Sequence, residues 1–165
     1  MANPIRLGTY NCTGFKSSEG FINETLCKSY NLIALQENWL LPHEVGRCDN
    51  LNKDFCGVTT SAVDISEGVL RGRPYGGLAW MWAQELNAMV RPLSFGEDRL
   101  LGLIYSDENR TLLLINVYMP VNSHENLDEF VRLLGKISSL IEEEDVDAVC
   151  VIGDFNAAIG SRFFN

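Results

Sequence analysis

The sequence predicts an α/β domain in which short strands alternate with helices around a buried core. Of its 165 residues, 46% are apolar and 21% are charged, the balance of a chain that buries a core. Apolar runs of strand length alternate with segments of helical periodicity, and several of those runs end in a polar residue. Disorder, a coiled coil and a collagen-like fibre are therefore excluded.

The sequence has no pattern typical of a membrane span, a secretion signal or a cysteine-based metal site. No apolar stretch approaches the roughly 18 residues of a membrane-spanning helix, and the N-terminus has no basic-then-apolar signal pattern. We therefore expect a soluble, intracellular protein with no membrane partner. The five cysteines form no C-x-x-C pair, which argues against a zinc site and against a complete disulfide framework.

The charge of the chain is strongly negative. The formal net charge is −9, and residues 83–165 carry 14 acidic and 6 basic side chains. Such a chain has no basic surface of the kind that binds nucleic acid. If it acts on a phosphate polymer, a metal ion or residues outside this chain must supply the positive charge.

The first 37 residues predict strand, helix and strand. Residues 5–10 alternate partly and lead into Asn11, as a strand does before a loop. Apolar residues then recur at helical spacing over about 19–30, after a Ser-Ser-Glu start. The apolar run 31–35 is too short for a helix and ends at Gln36 and Glu37.

The middle of the chain predicts strands and loops. One strand is expected over 55–63, and the glycine-rich stretch 68–77 predicts a surface excursion. Four further strand-like segments lie near 77–83, 86–91, 99–105 and 111–118. An antiparallel meander is the simplest arrangement for them.

The last third predicts one helix and one strand. Asn122 with Glu125 resembles a helix start, and a helix is expected over about 124–143. Its predicted apolar face consists of Leu127, Phe130, Val131, Leu134, Ile137 and Ile141. The run 147–152 predicts a strand buried on both faces, with Cys150 as a small buried apolar residue. No repeat or linker divides the chain, so 1–165 is predicted to lie in a single domain.

Polar residues follow four of the predicted strands. These are Asn11, Glu37, Tyr118, and the pair Asp154 and Asn156. Side chains at strand exits of a layered α/β fold converge on one rim, where ligands usually bind. Taken singly, each is more simply a turn, a cap or a half-buried residue. Their joint order is what predicts a site.

Five motifs carry a resemblance to a known family. In order and spacing they resemble the endonuclease/exonuclease/phosphatase superfamily, most closely the apurinic-type endonuclease domain of non-LTR, LINE-type retrotransposons. The motifs are Thr9-Tyr10-Asn11, Leu35-Gln36-Glu37-Asn38-Trp39, Gly76-Gly77-Leu78-Ala79, Ile115-Asn116-Val117-Tyr118-Met119-Pro120 and Ile152-Gly153-Asp154-Phe155-Asn156. The likeness to the retrotransposon domain rests on Gly72-Arg73-Pro74-Tyr75-Gly76-Gly77 and Asn116-Val117-Tyr118-Met119-Pro120.

The resemblance implies a fold and a chemistry. The fold is a four-layer αββα sandwich, and the reaction is cleavage of phosphodiester or phosphomonoester bonds with Mg²⁺, Mn²⁺ being the alternative. Glu37 resembles the metal-binding glutamate and Asn11 its partner. Tyr118 resembles the tyrosine that contacts the scissile phosphate, Asp154 the aspartate that orients or deprotonates water, and Asn156 the asparagine that stabilises the phosphate. The implied substrate is DNA, the products carry a 3′ hydroxyl and a 5′ phosphate, and the location is nuclear if the protein is a retrotransposon endonuclease.

Two departures from the family pattern shape the expectation for activity. Thr13 stands where some relatives carry an aspartate, so a metal contact there is doubtful. The family's second catalytic aspartate and its Asp-His pair have no counterpart before Asn165. We therefore expect an N-terminal portion of the domain with an incomplete second sheet and an open edge beside 149–152. Such a chain would have little nuclease activity alone and would need a further C-terminal region or a partner chain.

Two alternatives remain open at the sequence level. One keeps the superfamily but changes the substrate, to a phosphatase or phosphodiesterase acting on lipid, inositol phosphate or RNA. The other is a non-catalytic remnant or binding module, which would be favoured if Glu37 and Asp154 lay far apart.

Overall fold

A computed structural model describes residues 4–65, 72, 74–121 and 123–157. Two four-stranded mixed sheets form the framework. The strands are β1 (Leu7–Asn11), β2 (Leu32–Gln36), β3 (Phe55–Thr59), β4 (Leu78–Ala83), β5 (Val90–Ser94), β6 (Leu100–Ser106), β7 (Thr111–Tyr118) and β8 (Ala148–Asp154). The predicted α/β fold of strands and helices is confirmed.

Helices cover the outer faces of both sheets. Helix α1 (Phe15–Phe21) continues through a π-helical segment (Ile22–Leu26) and a last turn (Cys27–Ser29), and α2 spans Leu127–Glu143. Short 3₁₀ segments occupy Pro42–Arg47, Gln84–Leu86 and His124–Asn126. None of the helices in the described part of the chain combines the length and the apolar character of a membrane span.

The first sheet has the strand order β1-β2-β4-β3. Strands β1 and β2 are parallel, as the helical crossover between them requires, and they pair Asn11 with Gln36. Strand β4 runs antiparallel to both β2 and β3. The carboxyl ends of β1 and β2 therefore lie side by side.

The second sheet has the order β5-β6-β7-β8. Strands β5, β6 and β7 form an antiparallel meander, and α2 returns the chain so that β8 runs parallel to β7. The β7–β8 register pairs Tyr118 with Asp154. The second parallel pair thus also ends in two predicted site residues.

Three apolar clusters hold the four layers together. The central cluster lies between the sheets, where Trp80 and Leu78 of the first sheet meet Leu103 and Leu114 of the second. A second cluster packs Phe15 and Ile22 of the first helical segment on the outer face of the first sheet. A third packs α2 on the outer face of the second sheet. This order of helix, sheet, sheet and helix is the four-layer αββα sandwich that the resemblance implied.

The expected four-strand meander is wrong in one strand. The segment 77–83 belongs to the first sheet, as β4, and only β5, β6 and β7 form a meander. Five of the six β4 residues are buried, because the strand is central in its sheet and covered on both faces. Strand β5 also begins later than expected and includes Pro92, which an edge strand tolerates.

Helix α2 buries a different face from the one predicted. Ile137 is buried as expected, but the other fully buried residues are Leu133 and Leu140. Much of the predicted face is exposed, including Leu127, Val131, Leu134 and Ile141. Apolar residues occupy more than one side of this helix, so periodicity alone does not select the side that meets the sheet. The expected helix start at Asn122 lies outside the described residues.

Strand β8 is not buried on both faces as predicted. It pairs with β7 on one side, and within the described residues no strand pairs with its other side. Residues 149–154, including Cys150, are consequently half-buried. The first helical segment also begins at Phe15, four residues before its predicted start. Strand β3 ends at Thr59, four residues before its predicted end.

Candidate active site at the strand exits

The structure brings the five predicted site residues to one rim of the sandwich. Asn11 ends β1, Glu37 follows β2, Tyr118 ends β7, and Asp154 ends β8 with Asn156 two residues on. The parallel pairs β1–β2 and β7–β8 are in register up to these positions, so the carboxyl ends of the two strands in each pair lie side by side. All five side chains are half-buried. They are therefore accessible yet held in place.

Asn11 joins the two sheets at this rim. Its Nδ2 donates one hydrogen bond of 2.8 Å to Glu37 Oε1 and another of 2.9 Å to Asp154 Oδ2. Its Oδ1 accepts from the backbone N–H of Thr13 at 3.1 Å. The carboxylates of Glu37 and Asp154, which would repel each other, are thus held close together by the NH₂ group of Asn11.

The loop that carries Glu37 has an uncommon backbone. Glu37 and Trp39 have φ values of 54° and 53°, in the left-handed region that side chains other than glycine rarely adopt. The Glu37 carbonyl accepts from the N–H of Gly14 at 2.8 Å and from the Cys12 thiol at 3.4 Å. Burial raises the pKa of Cys12 to about 12, so this thiol remains a neutral donor. Such strain persists only where the surroundings over-determine it, and it clusters at functional sites.

Asp154 and Asn156 are fixed to each other and to the end of β7. The Asn156 N–H donates to Asp154 Oδ1 at 2.9 Å, and Asn156 Nδ2 donates to the Met119 carbonyl at 2.9 Å. The Met119 N–H in turn donates to the Asp154 carbonyl at 2.8 Å. Each Asp154 oxygen therefore accepts one bond from the protein and keeps capacity for a water molecule.

Tyr118 sits between the carboxylates and an arginine. Burial is the main cause that raises the pKa of Tyr118, and the charge of Glu37, the hydrogen bond that Tyr118 forms with Glu37 and the charge of Asp154 raise it further. The Arg99 guanidinium lies 5.3 Å from the centre of the Tyr118 ring, and its Nη1 donates to the Tyr118 carbonyl at 3.1 Å. The phenol is therefore a protonated donor at neutral pH. Arg99 provides the basic group that composition alone did not reveal.

A buried polar network supports the site from below. Gln36 Nε2 donates to Asn116 Oδ1 at 2.7 Å and to Thr9 Oγ1 at 3.0 Å. Asn116 Nδ2 donates to the carbonyls of Leu35 and Ala79 at 3.0 and 2.9 Å. Gln36 and Asn116 are 1% and 0% exposed. The residue before Glu37 is thereby linked to the strand that carries Tyr118.

The donor set suits a hard divalent cation held by few protein ligands. Among the described residues there is no group of three or more His, Cys, Asp or Glu side chains that could hold a metal ion. Mg²⁺ keeps several waters and is commonly bound through one or two carboxylates plus substrate phosphate. The Glu37 carboxylate is therefore a sufficient protein ligand for it. Asn11 presents its NH₂ group to the carboxylates, so in this arrangement it orients Glu37 rather than offering its oxygen.

Three clefts among the described residues differ in their distance from the strand-exit rim, and one of them borders it. A small cleft of about 110 Å³ borders Tyr118 and is lined also by Arg99 and Tyr75. Larger clefts of about 470 and 430 Å³ share Cys27, Asp54 and Phe55 and lie at the opposite end of the first sheet. Arg73, in the glycine-rich motif, lies outside the described residues.

Sequence reasoning missed three residues that contact the site. Cys12 donates to the Glu37 carbonyl, and Trp39 donates to the Glu37 carboxylate. Arg99 lies over the ring of Tyr118. Cys12 and Trp39 flank Asn11 and Glu37 in the sequence, and this adjacency was the available signal. Arg99 carried none, because only the β6–β7 pairing places it beside Tyr118.

The fold has counterparts among solved structures. Neither protein-family models nor curated protein sequences match the chain. A 3′ phosphatase, NExo, from Neisseria bound to a product DNA hairpin shares 14% identity over 96% of this chain and 60% of that one, with a TM-score of 0.68. An AP endonuclease from Archaeoglobus fulgidus shares 17% identity over 96% and 60%, with a TM-score of 0.65. The human Nocturnin catalytic domain with a bound sulfate anion shares 14% over 94% and 65%, with a TM-score of 0.63.

These similarities establish the fold. Identities of 14–17% are too low to carry a function by themselves. The chain spans about 60% of the length of the first two of these structures.

Proposed function

We propose that this chain forms the metal-binding and water-activating part of a metal-dependent phosphodiester hydrolase that acts on nucleic acid. One observation carries the proposal: Asn11 binds Glu37 and Asp154, residues of different sheets, through one amide. A structural core needs no such arrangement, because bringing two carboxylates together costs free energy that a bound cation offsets. A non-catalytic remnant is disfavoured for the same reason.

The side chains divide the chemistry among themselves. Glu37 would hold Mg²⁺, which neutralises phosphate charge and stabilises the leaving oxygen. Asp154 orients a water molecule and accepts its proton, through the lone pairs that Asn156 and Asn11 leave free. Tyr118, whose phenol is protonated at neutral pH, can turn its O–H from Glu37 to donate a hydrogen bond to a phosphoryl oxygen. The hydrogen of Asn156 Nδ2 that Met119 does not use can donate in the same way.

DNA nicking of the retrotransposon type is the specific form of the proposal. It is supported by the sequence motifs around Gly76-Gly77 and Asn116-Val117-Tyr118, and it implies 3′ hydroxyl and 5′ phosphate products and a nuclear location. The solved structures support nucleic acid as the substrate class, since one is a phosphatase bound to DNA and another an AP endonuclease. The chain spans only about 60% of those two structures, so the activity that a full-length hydrolase of this fold would have is also proposed rather than observed.

A 3′ phosphomonoesterase activity on DNA is the second candidate. The structure with the TM-score of 0.68 is a 3′ phosphatase, and the same groups could activate water against a terminal phosphate. A duplex with one internal nick site and one 3′ phosphate separates the two activities. Nicking shortens the cleaved strand, whereas removal of the 3′ phosphate changes only its charge.

The test combines metal binding with cleavage. Calorimetry with Mn²⁺ should show one site on the wild-type chain, and Glu37→Gln should weaken it at least tenfold because the ligand loses its charge. Relaxation of supercoiled plasmid, with protein in excess and long incubation, should require Mg²⁺ or Mn²⁺. Asp154→Asn should lower that rate by about 10²-fold or more, since the proton acceptor is lost.

Asp128→Asn is the matched control, since Asp128 is an exposed aspartate in the first turn of α2. It should leave both readouts unchanged. Absence of a Mn²⁺ site, or a site indifferent to Glu37→Gln, would overturn the proposed function. Cleavage that survives both Asp154→Asn and EDTA would do so as well.

A further inference from the structure

The carboxylate of Glu37 is held at both of its oxygens. Asn11 donates to Oε1 at 2.8 Å, and the indole N–H of Trp39 donates to Oε2 at 3.1 Å. Each oxygen accepts two or more hydrogen bonds or metal contacts, so neither bond prevents a cation from binding. Together with the Tyr118 side chain, which also forms a hydrogen bond with Glu37, these donors instead select one orientation of the carboxylate plane.

We propose that Trp39 is a positioning residue for Glu37, which orients that carboxylate toward a divalent cation through its indole N–H. The inference rests on the proposed function, in which Glu37 is the metal ligand. Partners of this kind, outside the ligands themselves, fix the orientation of metal-binding side chains, and their loss typically weakens metal binding 10- to 100-fold.

Trp39 suits this role because its own position is fixed. Its backbone N–H donates to the Gly76 carbonyl at 3.0 Å, and its φ is 53°. Its ring packs against Gly14, where an added Cβ would lie 3.1 Å from the Trp39 Cε3. A donor anchored by its backbone and by its ring loses little conformational freedom when it holds Glu37.

The neighbouring residue reinforces this anchoring. Asn38 is 1% exposed; its Nδ2 donates to the Thr60 carbonyl at 3.0 Å, and its Oδ1 accepts from the Leu40 N–H at 2.9 Å. Gly77 lies against the Asn38 side chain so closely that a Cβ would overlap it. The turn that presents Trp39 is therefore built around a buried amide.

The chemistry of an indole donor also fits a metal site. The indole N–H is neutral and donates only, so it constrains the carboxylate without neutralising it. A lysine or arginine in the same place would pair with Glu37 and repel an incoming cation. Trp39 thus orients the carboxylate and leaves its full negative charge for the metal.

Trp82 provides a matched control within the chain. Its indole N–H donates to Asn87 Oδ1, also at 3.1 Å, near the end of β4 and far from the strand exits. Phenylalanine keeps most of the ring packing at either position and removes only the N–H donor. Trp39→Phe and Trp82→Phe therefore make the same chemical change at and away from the site.

The experiment measures Mn²⁺ affinity of the full chain by calorimetry for wild type, Trp39→Phe, Trp82→Phe and Glu37→Gln. We expect Trp39→Phe to bind about tenfold more weakly, and Trp82→Phe to match wild type. If Glu37→Gln loses binding while Trp39→Phe equals wild type, this inference falls and the proposed function stands. If wild type binds no Mn²⁺, both fall.

A second measurement needs no change at Trp39. The chain has three tryptophans, so a ¹H–¹⁵N spectrum should show three indole N–H signals, and substituting Trp80 and Trp82 in turn assigns the Trp39 signal by elimination. The chemical shift of the Trp39 indole N–H should change when Glu37 is replaced by Gln, and also when Mg²⁺ is added without Mn²⁺. The chemical shift of the Trp82 indole N–H should change in neither case. A Trp39 signal indifferent to Glu37→Gln overturns the inference, even if Trp39→Phe fails to fold.

Discussion

Gln36 and Asn116 connect the two sheets by a hydrogen bond of 2.7 Å, although both are almost completely buried. Asn116 comes from the second sheet and also donates to the carbonyls of Leu35 and Ala79 in the first. A buried amide whose partners are all satisfied specifies one alignment of the layers. Here that alignment is the one that brings Glu37 to Asp154.

We predict that Asn116→Leu destabilises the fold severely. The change removes three buried hydrogen bonds and leaves one Gln36 N–H without its partner, so the free energy of unfolding should fall by about 3 kcal/mol. Urea denaturation followed by tryptophan fluorescence measures it. Asn126→Leu, which removes one hydrogen bond at the surface, should cost under about 1 kcal/mol. Equal losses in the two variants would contradict the assigned role.

Gly153 should be irreplaceable for a different reason. Its φ is 141°, and an added Cβ would overlap the Val117 carbonyl oxygen in the neighbouring strand. Gly153→Ala must therefore push β8 away from β7 and should destabilise by about 2 kcal/mol or more. Because Asp154 is the next residue and is the proposed proton acceptor, the variant should also lose plasmid cleavage.

Gly135→Ala is the control for that change. Gly135 lies in α2, and a Cβ there would meet nothing within 4 Å. Its substitution should stabilise the chain by up to about 1 kcal/mol, because alanine is the better helix former. Thermal unfolding of both variants decides the matter, and two shifts of the same sign would contradict the prediction.

The pKa of Tyr118 should respond to Glu37. Burial is the larger cause that raises it and the Glu37 carboxylate the next, so Glu37→Gln should lower the pKa of Tyr118 while leaving it above the ordinary value. Because the folded-state pKa is raised, the stability from the protonated phenol is present below the ordinary pKa and is lost as the pH rises through the folded value.

Carbon-13 labelled tyrosine makes this titration visible by NMR. Tyr105 serves as the internal reference, since its pKa is raised by burial and by Asp107, away from the site. Its titration should be the same in wild type and in Glu37→Gln. A Tyr118 curve unmoved by the substitution would show that the two side chains do not interact.

Asn11→Asp should make stability depend on divalent cations. The substitution replaces the shared NH₂ donor by a third carboxylate, so without metal the free energy of unfolding should fall by about 2 kcal/mol or more. A bound cation would offset the repulsion, so Mg²⁺ should raise the melting temperature of the variant more than that of wild type. An equal rise in both would contradict this expectation.

The layers and strands of the fold could be predicted largely from the sequence. Short apolar runs predicted β2 and β7 closely, because a run bounded by polar residues limits a strand at both ends. The assignment of β4 to a sheet failed, since its buried residues fit the centre of either sheet equally well. Sheet membership depends on long-range pairing, which local periodicity does not encode.

In the candidate site, the sequence likewise identified the residues but not the contacts between them. Asn11, Glu37, Tyr118, Asp154 and Asn156 were identifiable from their places at strand exits, and the structure brings them to one rim. The hydrogen bonds that orient them were not, because Trp39 bends back to Glu37 only through two left-handed residues. Their catalytic and metal-binding roles stay predictions.

The bond between Asn11 and Asp154 has a consequence for how the molecule folds. It joins residues 143 positions apart, so closing it requires nearly the whole described chain to be ordered first. Contacts of such long range form late and slow the folding of sheet proteins. Site assembly should therefore be one of the final folding events, and cation affinity should recover only in the slowest refolding phase.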